Sequence, residues 1–204
     1  MEPRKPVRQP KQQRSMQMKE KIRKAALKLF CEKGYYKTTT NEIAKVAGIS
    51  IGSLYSYFKD KDVIFMEILE DYNKLFVEVH KKSEQNMETY RADKKAWLRQ
   101  LIEALIKVHE TSRELNQEIR ILSYSKPEVA AISGRAGETT RKMTLDFFRL
   151  CKDDIRVKDI EAASVVVQNM ISSNVDYIVF EKNRIDRERI IEATIDAVYK
   201  YLAV

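Results

Sequence analysis

The chain of 204 residues has little of what breaks or staples a fold. It holds five glycines and four prolines, and three of the prolines fall in the first ten residues. Two cysteines, Cys31 and Cys151, are too few and too isolated for a disulfide framework or a zinc site, and small core residues are expected there. The two histidines, His80 and His109, are far apart and lack clustered Cys, Asp or Glu, so no metal site is expected. No apolar run approaches the roughly 18 residues that a bilayer span requires, and the basic N-terminus lacks the apolar segment of a secretion signal. A cytoplasmic protein without membrane contact is the expectation. There is no nucleophile beside a base, no Gly-rich phosphate loop and no carboxylate pair in a telling context. Those absences argue against an enzyme and against a cofactor.

What remains is helical periodicity. Hydrophobic residues make up 44% of the chain and charged residues 33%, an ordinary globular balance, and apolar positions recur at 3- and 4-residue steps. The expected fold class is all-α. Charge is unevenly spread: residues 1–28 contain ten Lys/Arg and two Asp/Glu, while the rest sums to zero. A basic segment on a balanced protein is an electrostatic footprint for a polyanion. Residues 1–16, rich in Pro, Gln, Arg and Lys, read as a disordered arm.

From about Gln17 to Lys33, Ile22, Ala25, Ala26, Leu29 and Phe30 form one apolar stripe, and Gly34 marks its end. Thr39 and Glu42 make a capping-box pattern, so a second helix is predicted near Thr40. Gly48 breaks it, and Ser50 can cap a third helix reaching Phe58. Two short helices joined by a four-residue turn containing Gly are a helix-turn-helix pattern. At about 100° per residue, Ile51, Leu54 and Phe58 share the inward side of the third helix, with Gly52, Ser53, Ser56 and Tyr57 opposite and Tyr55 on the shoulder. Such a face of short polar side chains lets the backbone approach a major groove about 12 Å wide, while tyrosine hydroxyls reach phosphate oxygens.

The stretch "TTTNEIAKVAGISIGSLYSYFKDKDVIFMEIL" resembles the DNA-binding domain of tetracycline-repressor (TetR/AcrR-type) transcriptional regulators. The resemblance covers about residues 18–70. It rests on Gly34-Tyr35, Thr40, Ile43-Ala44, Ala47-Gly48-Ile49-Ser50, Leu54-Tyr55, Tyr57-Phe58 and Lys61, in that order. It implies that Thr40 binds a phosphate and that Ser50, Ile51, Gly52 and Ser53 form the leading edge of a recognition helix. By the same likeness Tyr55 and Tyr57 clamp the DNA backbone, and Lys61 offers a phosphate contact where the next helix opens. It also implies a body with a pocket for a small-molecule effector, and a homodimer through the last two helices on a palindromic operator of double-stranded DNA. The implied role is a repressor released by its effector. An effector-independent architectural DNA-binding protein is the alternative.

The predicted organisation is an arm over 1–16 and a helix-turn-helix domain over 17–62. The latter runs into a linking helix that reaches about residue 88, and an effector-binding and dimerisation domain occupies 63–204. In the body, helices are expected near 94–111, 113–124, 138–151, 158–182 and 186–202, with a loosely defined stretch around Ser133-Gly134. Polar or aromatic residues in apolar context are the pocket candidates: Tyr72, Trp97, His109, Tyr124, Phe147 and Asn169. Ile191, Ile195 and Val198, one continuous stripe, and Val166 are the dimer-interface candidates.

Overall fold

A computed structural model describes residues 11–182 and 184–203 of the chain. The described residues form helices without a β-strand, in two units: one through Leu69 and one from Glu70.

The first unit holds α1 (Lys11–Lys33), α2 (Thr40–Val46), α3 (Ile51–Tyr55) and the first turns of α4 (Lys61–Gln85). Helix α1 begins at Lys11, six residues before the expected start at Gln17, so the arm expected over 1–16 is helical from Lys11 onward. The charged residues there carry no chain breaker after Pro10, so propensity extends the helix past its apolar stripe. The part of that expectation covering residues 1–10 lies outside the described residues. Gly34 ends α1 with φ +84°, its amide bonded to the Phe30 carbonyl at 2.9 Å. That left-handed conformation strains any side chain with a Cβ.

Short helices need local caps. Thr39 accepts from the Glu42 amide at 3.3 Å, and Glu42 accepts from the Thr39 amide at 2.9 Å, the reciprocal box that the sequence predicts. Ser50 caps α3 through the Ser53 amide at 3.1 Å. Between them Gly48 turns the chain at φ +61°. Ile22, Ala26, Phe30, Ile43, Leu54, Phe58, Ile64 and Phe65 are buried together as the core of this unit. Phe30, Tyr35 and Phe65 pack with ring centroids 5.5 Å apart pairwise. Each such buried ring contributes about 1.5–3 kcal/mol relative to exposure, which is how helices of five and seven residues persist.

The second unit holds the rest of α4 with α5 (Met87–Ala92), α6 (Lys94–Thr111), α7 (Arg113–Ser125), α8 (Pro127–Leu150), α9 (Ile160–Phe180) and α10 (Arg187–Leu202). Helix α9 packs on α6, α8 and α10, and α7 packs on α8. Two details differ from expectation. The linking helix stops at Gln85, and α5 follows as a separate turn after Asn86. Helix α8 runs unbroken through Ser133-Gly134, because Pro127 sits at its first turn, where proline costs nothing, and Val129 and Ile132 anchor that turn in the core. The β-branched runs of α9 are helical, as their long apolar periodicity predicts.

Candidate nucleic-acid interface and body cavity

The surface of the first unit is built around α3. Leu54 and Phe58 are buried and Ile51 half-buried, so the inward stripe is the one read from the sequence. Gly52 and Ser56 are exposed, Ser53 and Tyr57 half-buried, and Tyr55 is 52% exposed. Apart from its chain neighbours and its own helix backbone, no heavy atom lies within 4 Å of where a Gly52 Cβ would stand, so this side of α3 faces open space. The Tyr55 hydroxyl lies 3.1 Å from Thr40 Oγ1. That bond ties the first residue of α2 to the end of α3, bringing together two residues that the sequence could only place separately.

Lys61 has backbone partners that the sequence did not foresee. Its Nζ donates to the carbonyls of Tyr35 and Thr38, both at 2.9 Å, and lies 4.3 Å from the Tyr35 ring centroid. The ammonium is half-buried and closes the loop between α1 and α2 from inside. Spacing alone could not reveal this, because both acceptors are backbone atoms more than 20 residues away.

In the second unit the described residues line a partly open cavity of about 280 Å³. Trp97, His109 and Phe147, three of the six candidates, line it. Trp97 and Phe147 stack at 4.8 Å with their planes 5° apart, and Tyr90 meets both edge-on. The Trp97 indole donates to the Ser83 carbonyl at 2.9 Å, which fixes the ring. Tyr72 is buried beside this cavity's wall rather than on it; its hydroxyl accepts from Asn116 Nδ2 and lies 3.4 Å from His109 Nδ1. Burial pushes the Tyr72 phenol well above its ordinary range. Two candidates are corrected. Tyr124 is 94% exposed and Asn169 is exposed. The inward stripes are Leu115, Ile119 and Leu122 on α7 and Ala163, Val167 and Ile171 on α9, each recurring at 3–4-residue steps, and Tyr124 and Asn169 stand two residues off them, on the outer side.

Sequence reasoning missed Glu84, Tyr90 and Ser133, which also line the cavity. Tyr90 lies on the unforeseen α5, and Ser133 lies in the stretch expected to be irregular. Ser133 Oγ is buried and has no hydrogen-bond partner among the described residues. Burial holds His80 and His109 below the ordinary histidine range. Burial also raises the Glu84 carboxyl, with the charge of Asp146 adding to it. Among the described residues no cluster of His, Cys, Asp or Glu is arranged for a metal ion, and no helix is long and apolar enough to cross a membrane.

The dimer candidates are corrected most. Ile191, Ile195 and Val198 are 1%, 2% and 0% exposed and belong to the core of their own unit. The stripe that looked available for a second copy is what α10 uses to pack on α6 and α9. Val166, by contrast, is 40% exposed on the outer face of α9, with Val165 and Tyr177 similarly open.

Residues 22–68 match the model of bacterial regulatory proteins of the tetR family, and residues 95–202 match that of the tetracyclin repressor-like C-terminal domain. The HTH-type transcriptional regulator QacR of Staphylococcus aureus (strain Mu50 / ATCC 700699) is 41% identical over 76 residues, 37% of this chain and 40% of that protein. The HTH-type transcriptional regulator AcrR of Shigella flexneri is 41% identical over 58 residues, 28% of this chain and 27% of that one. The chain thus aligns with well under half of the length of these relatives. A chain of Mesorhizobium loti MAFF303099 assigned to the TetR-family transcriptional regulators shares the fold at TM-score 0.76 and 22% identity, over 94% of this chain and 99% of that one. A TetR/AcrR-type regulator from Aquifex aeolicus VF5 does so at TM-score 0.67 and 18% identity, over 90% and 98%. With both units of the chain matched in order by the two family models, the chain belongs to the tetR family of bacterial regulatory proteins.

Proposed function

We propose that the protein is a DNA-binding transcriptional repressor that sits on a palindromic operator as a homodimer and leaves it when a small-molecule effector fills the body cavity. The observation that carries the DNA part is the exposed edge of α3. Gly52, Ser53 and Ser56 keep it thin, and the Tyr55 hydroxyl stands beside Thr40 at its flank. A thin polar edge admits a helix backbone to the major groove, where Ser53 can reach a base edge. Thr40, Tyr55 and Tyr57 carry hydroxyls suited to phosphates, which set register without reading sequence. Ser50 caps the helix and aims its first turn, and Ile51 offers an apolar edge to a thymine methyl. Lys61 supports the site from behind rather than contacting phosphate.

A helix of five residues reads few base pairs, so useful affinity needs two copies. Half-sites about 34–36 Å apart would match a twofold protein. The outer face of α9, with Val165, Val166 and Tyr177, is the surface best suited to pair with its twofold mate. Among the described residues α4 is the one helix with residues in both units, so it is the covalent route by which the body influences the DNA-binding unit. An effector shifts DNA affinity only by binding two states of the protein unequally.

The test is selection of bound duplexes from a random pool at near-physiological salt, followed by titration of the recovered site. A palindromic consensus, bound more tightly than random duplex by roughly a thousandfold or more, is expected. Equal affinity for all sequences would overturn the proposal and favour an architectural DNA-binding protein.

A further inference from the structure

Among the described residues, the body cavity holds one charge that nothing around it answers. Its charged lining side chains are Glu84, Asp154 and Lys94. Asp154 and Lys94 pair at 3.2 Å, and the Lys94 ammonium also lies 5.3 Å from the Tyr90 ring centroid. The two lining histidines are held toward their neutral forms by burial. Glu84 makes no hydrogen bond or ion pair with any described residue, and its charged neighbour is another carboxylate, Asp146. The rest of the wall is largely apolar, with Phe76, Trp97, Phe147 and Leu101 among its members. A carboxylate beside an apolar wall is poorly solvated, and it gains most from a partner of opposite sign that brings its own apolar surface.

We propose that this cavity takes a compact organic monocation, a quaternary ammonium or protonated amine on an aromatic or branched apolar body, with Glu84 as its counter-ion and the Trp97–Phe147 pair against its apolar part. Three properties converge on that class. The single unanswered charge is negative, so an anion is repelled and a neutral molecule leaves it unpaired. The aromatic rings favour cations through their negative faces. The volume of about 280 Å³ falls at the small end of ligand cavities, which favours a compact ligand. The inference rests on the reading of this cavity as an effector site, and it adds the charge, size and anchoring residue of the effector.

Trp97 is the single tryptophan of the chain and lines the cavity, so its fluorescence reports occupancy directly. The experiment uses the full chain without DNA and three probes of nearly one shape: benzyltrimethylammonium, its uncharged isostere neopentylbenzene, and the anion phenylmethanesulfonate. The cation should bind at least roughly tenfold more tightly than the neutral isostere, and the anion more weakly than either. Glu84→Gln should erase that tenfold advantage while leaving the neutral probe's affinity unchanged, with an unaltered melting temperature confirming the fold. A neutral isostere that binds as tightly as the cation, a cation that does not bind at all, or a cation affinity indifferent to Glu84→Gln would each overturn the assignment. A second arm adds the operator complex. A cation that binds through Glu84 yet leaves DNA bound sinks the effector reading and spares the cation site. Release of DNA by the neutral isostere alone does the reverse.

Discussion

The Lys61 ammonium caps the loop that Tyr35 begins: it donates to the Tyr35 carbonyl at 2.9 Å and rests 4.3 Å from the centroid of the same residue's ring. Tyr35 is buried, and the second acceptor, Thr38, belongs to a residue that is buried as well. Removing the ammonium leaves backbone carbonyls short of a donor. Lys61→Met should therefore destabilise the DNA-binding unit by about 1–3 kcal/mol, read as a lower melting temperature. The salt dependence of DNA binding separates this role from phosphate contact. A lysine on phosphate lowers the slope by about one when removed; here the slope should stay unchanged. A slope reduced by one with unaltered stability would refute the capping role.

Tyr55 and Thr40 share a hydrogen bond at 3.1 Å across two helices. Tyr55→Phe keeps the ring and removes the link and the hydroxyl. A neutral hydrogen bond is worth about 1 kcal/mol, so operator affinity should fall about fivefold, equally for specific and random duplex. Loss confined to the specific sequence would show that Tyr55 reads a base instead.

Burial separates two variants that looked alike in sequence. Ile195→Arg places a charge where the side chain is 2% exposed, inside the body's own core, and should unfold that unit. Val166→Arg changes a residue 40% exposed on α9 and should leave the protomer folded while splitting a dimer formed through that face. Sedimentation with circular dichroism checks both. A folded Ile195→Arg protomer, or a Val166→Arg protein that sediments as wild-type dimer, would contradict the assignment.

Glu42 links acid stability to the α2 cap. The Lys33 hydrogen bond, with further bonds from the Thr39 hydroxyl and amide, holds its carboxyl at about 2, against an ordinary value of 4.5. A carboxyl lowered in the folded state adds stability that is complete above about 4.5 and lost as pH falls toward 2. Amide exchange across α2 should speed up through that window in the wild type. Glu42→Gln should exchange faster at neutral pH and show no further acceleration there. Identical profiles for both proteins would dismiss the cap as a source of acid sensitivity.

Much was determined by sequence alone, for a physical reason. Caps, turns and helix periods are local: Thr39 with Glu42, Ser50 with Ser53, and Gly34 and Gly48 at left-handed positions all lie within a few residues of what they organise. The helix-turn-helix and the inward stripe of Leu54 and Phe58 follow from such short-range rules. So do most helices of the body. What only the tertiary structure decided depends on which face meets which neighbour. Periodicity marks the stripe of Ile191, Ile195 and Val198 as apolar, but not whether its cover is the same chain or another; α6 and α9 supply it. Lys61 reads as a free cation until the distant Tyr35 and Thr38 carbonyls arrive beside it. Glu84 reads as one charge on a long helix until folding sets it in the wall of an aromatic cavity where no cation among the described residues meets it. Local chemistry is written in adjacent residues, whereas burial and pairing are properties of segments far apart in the chain that the fold brings together.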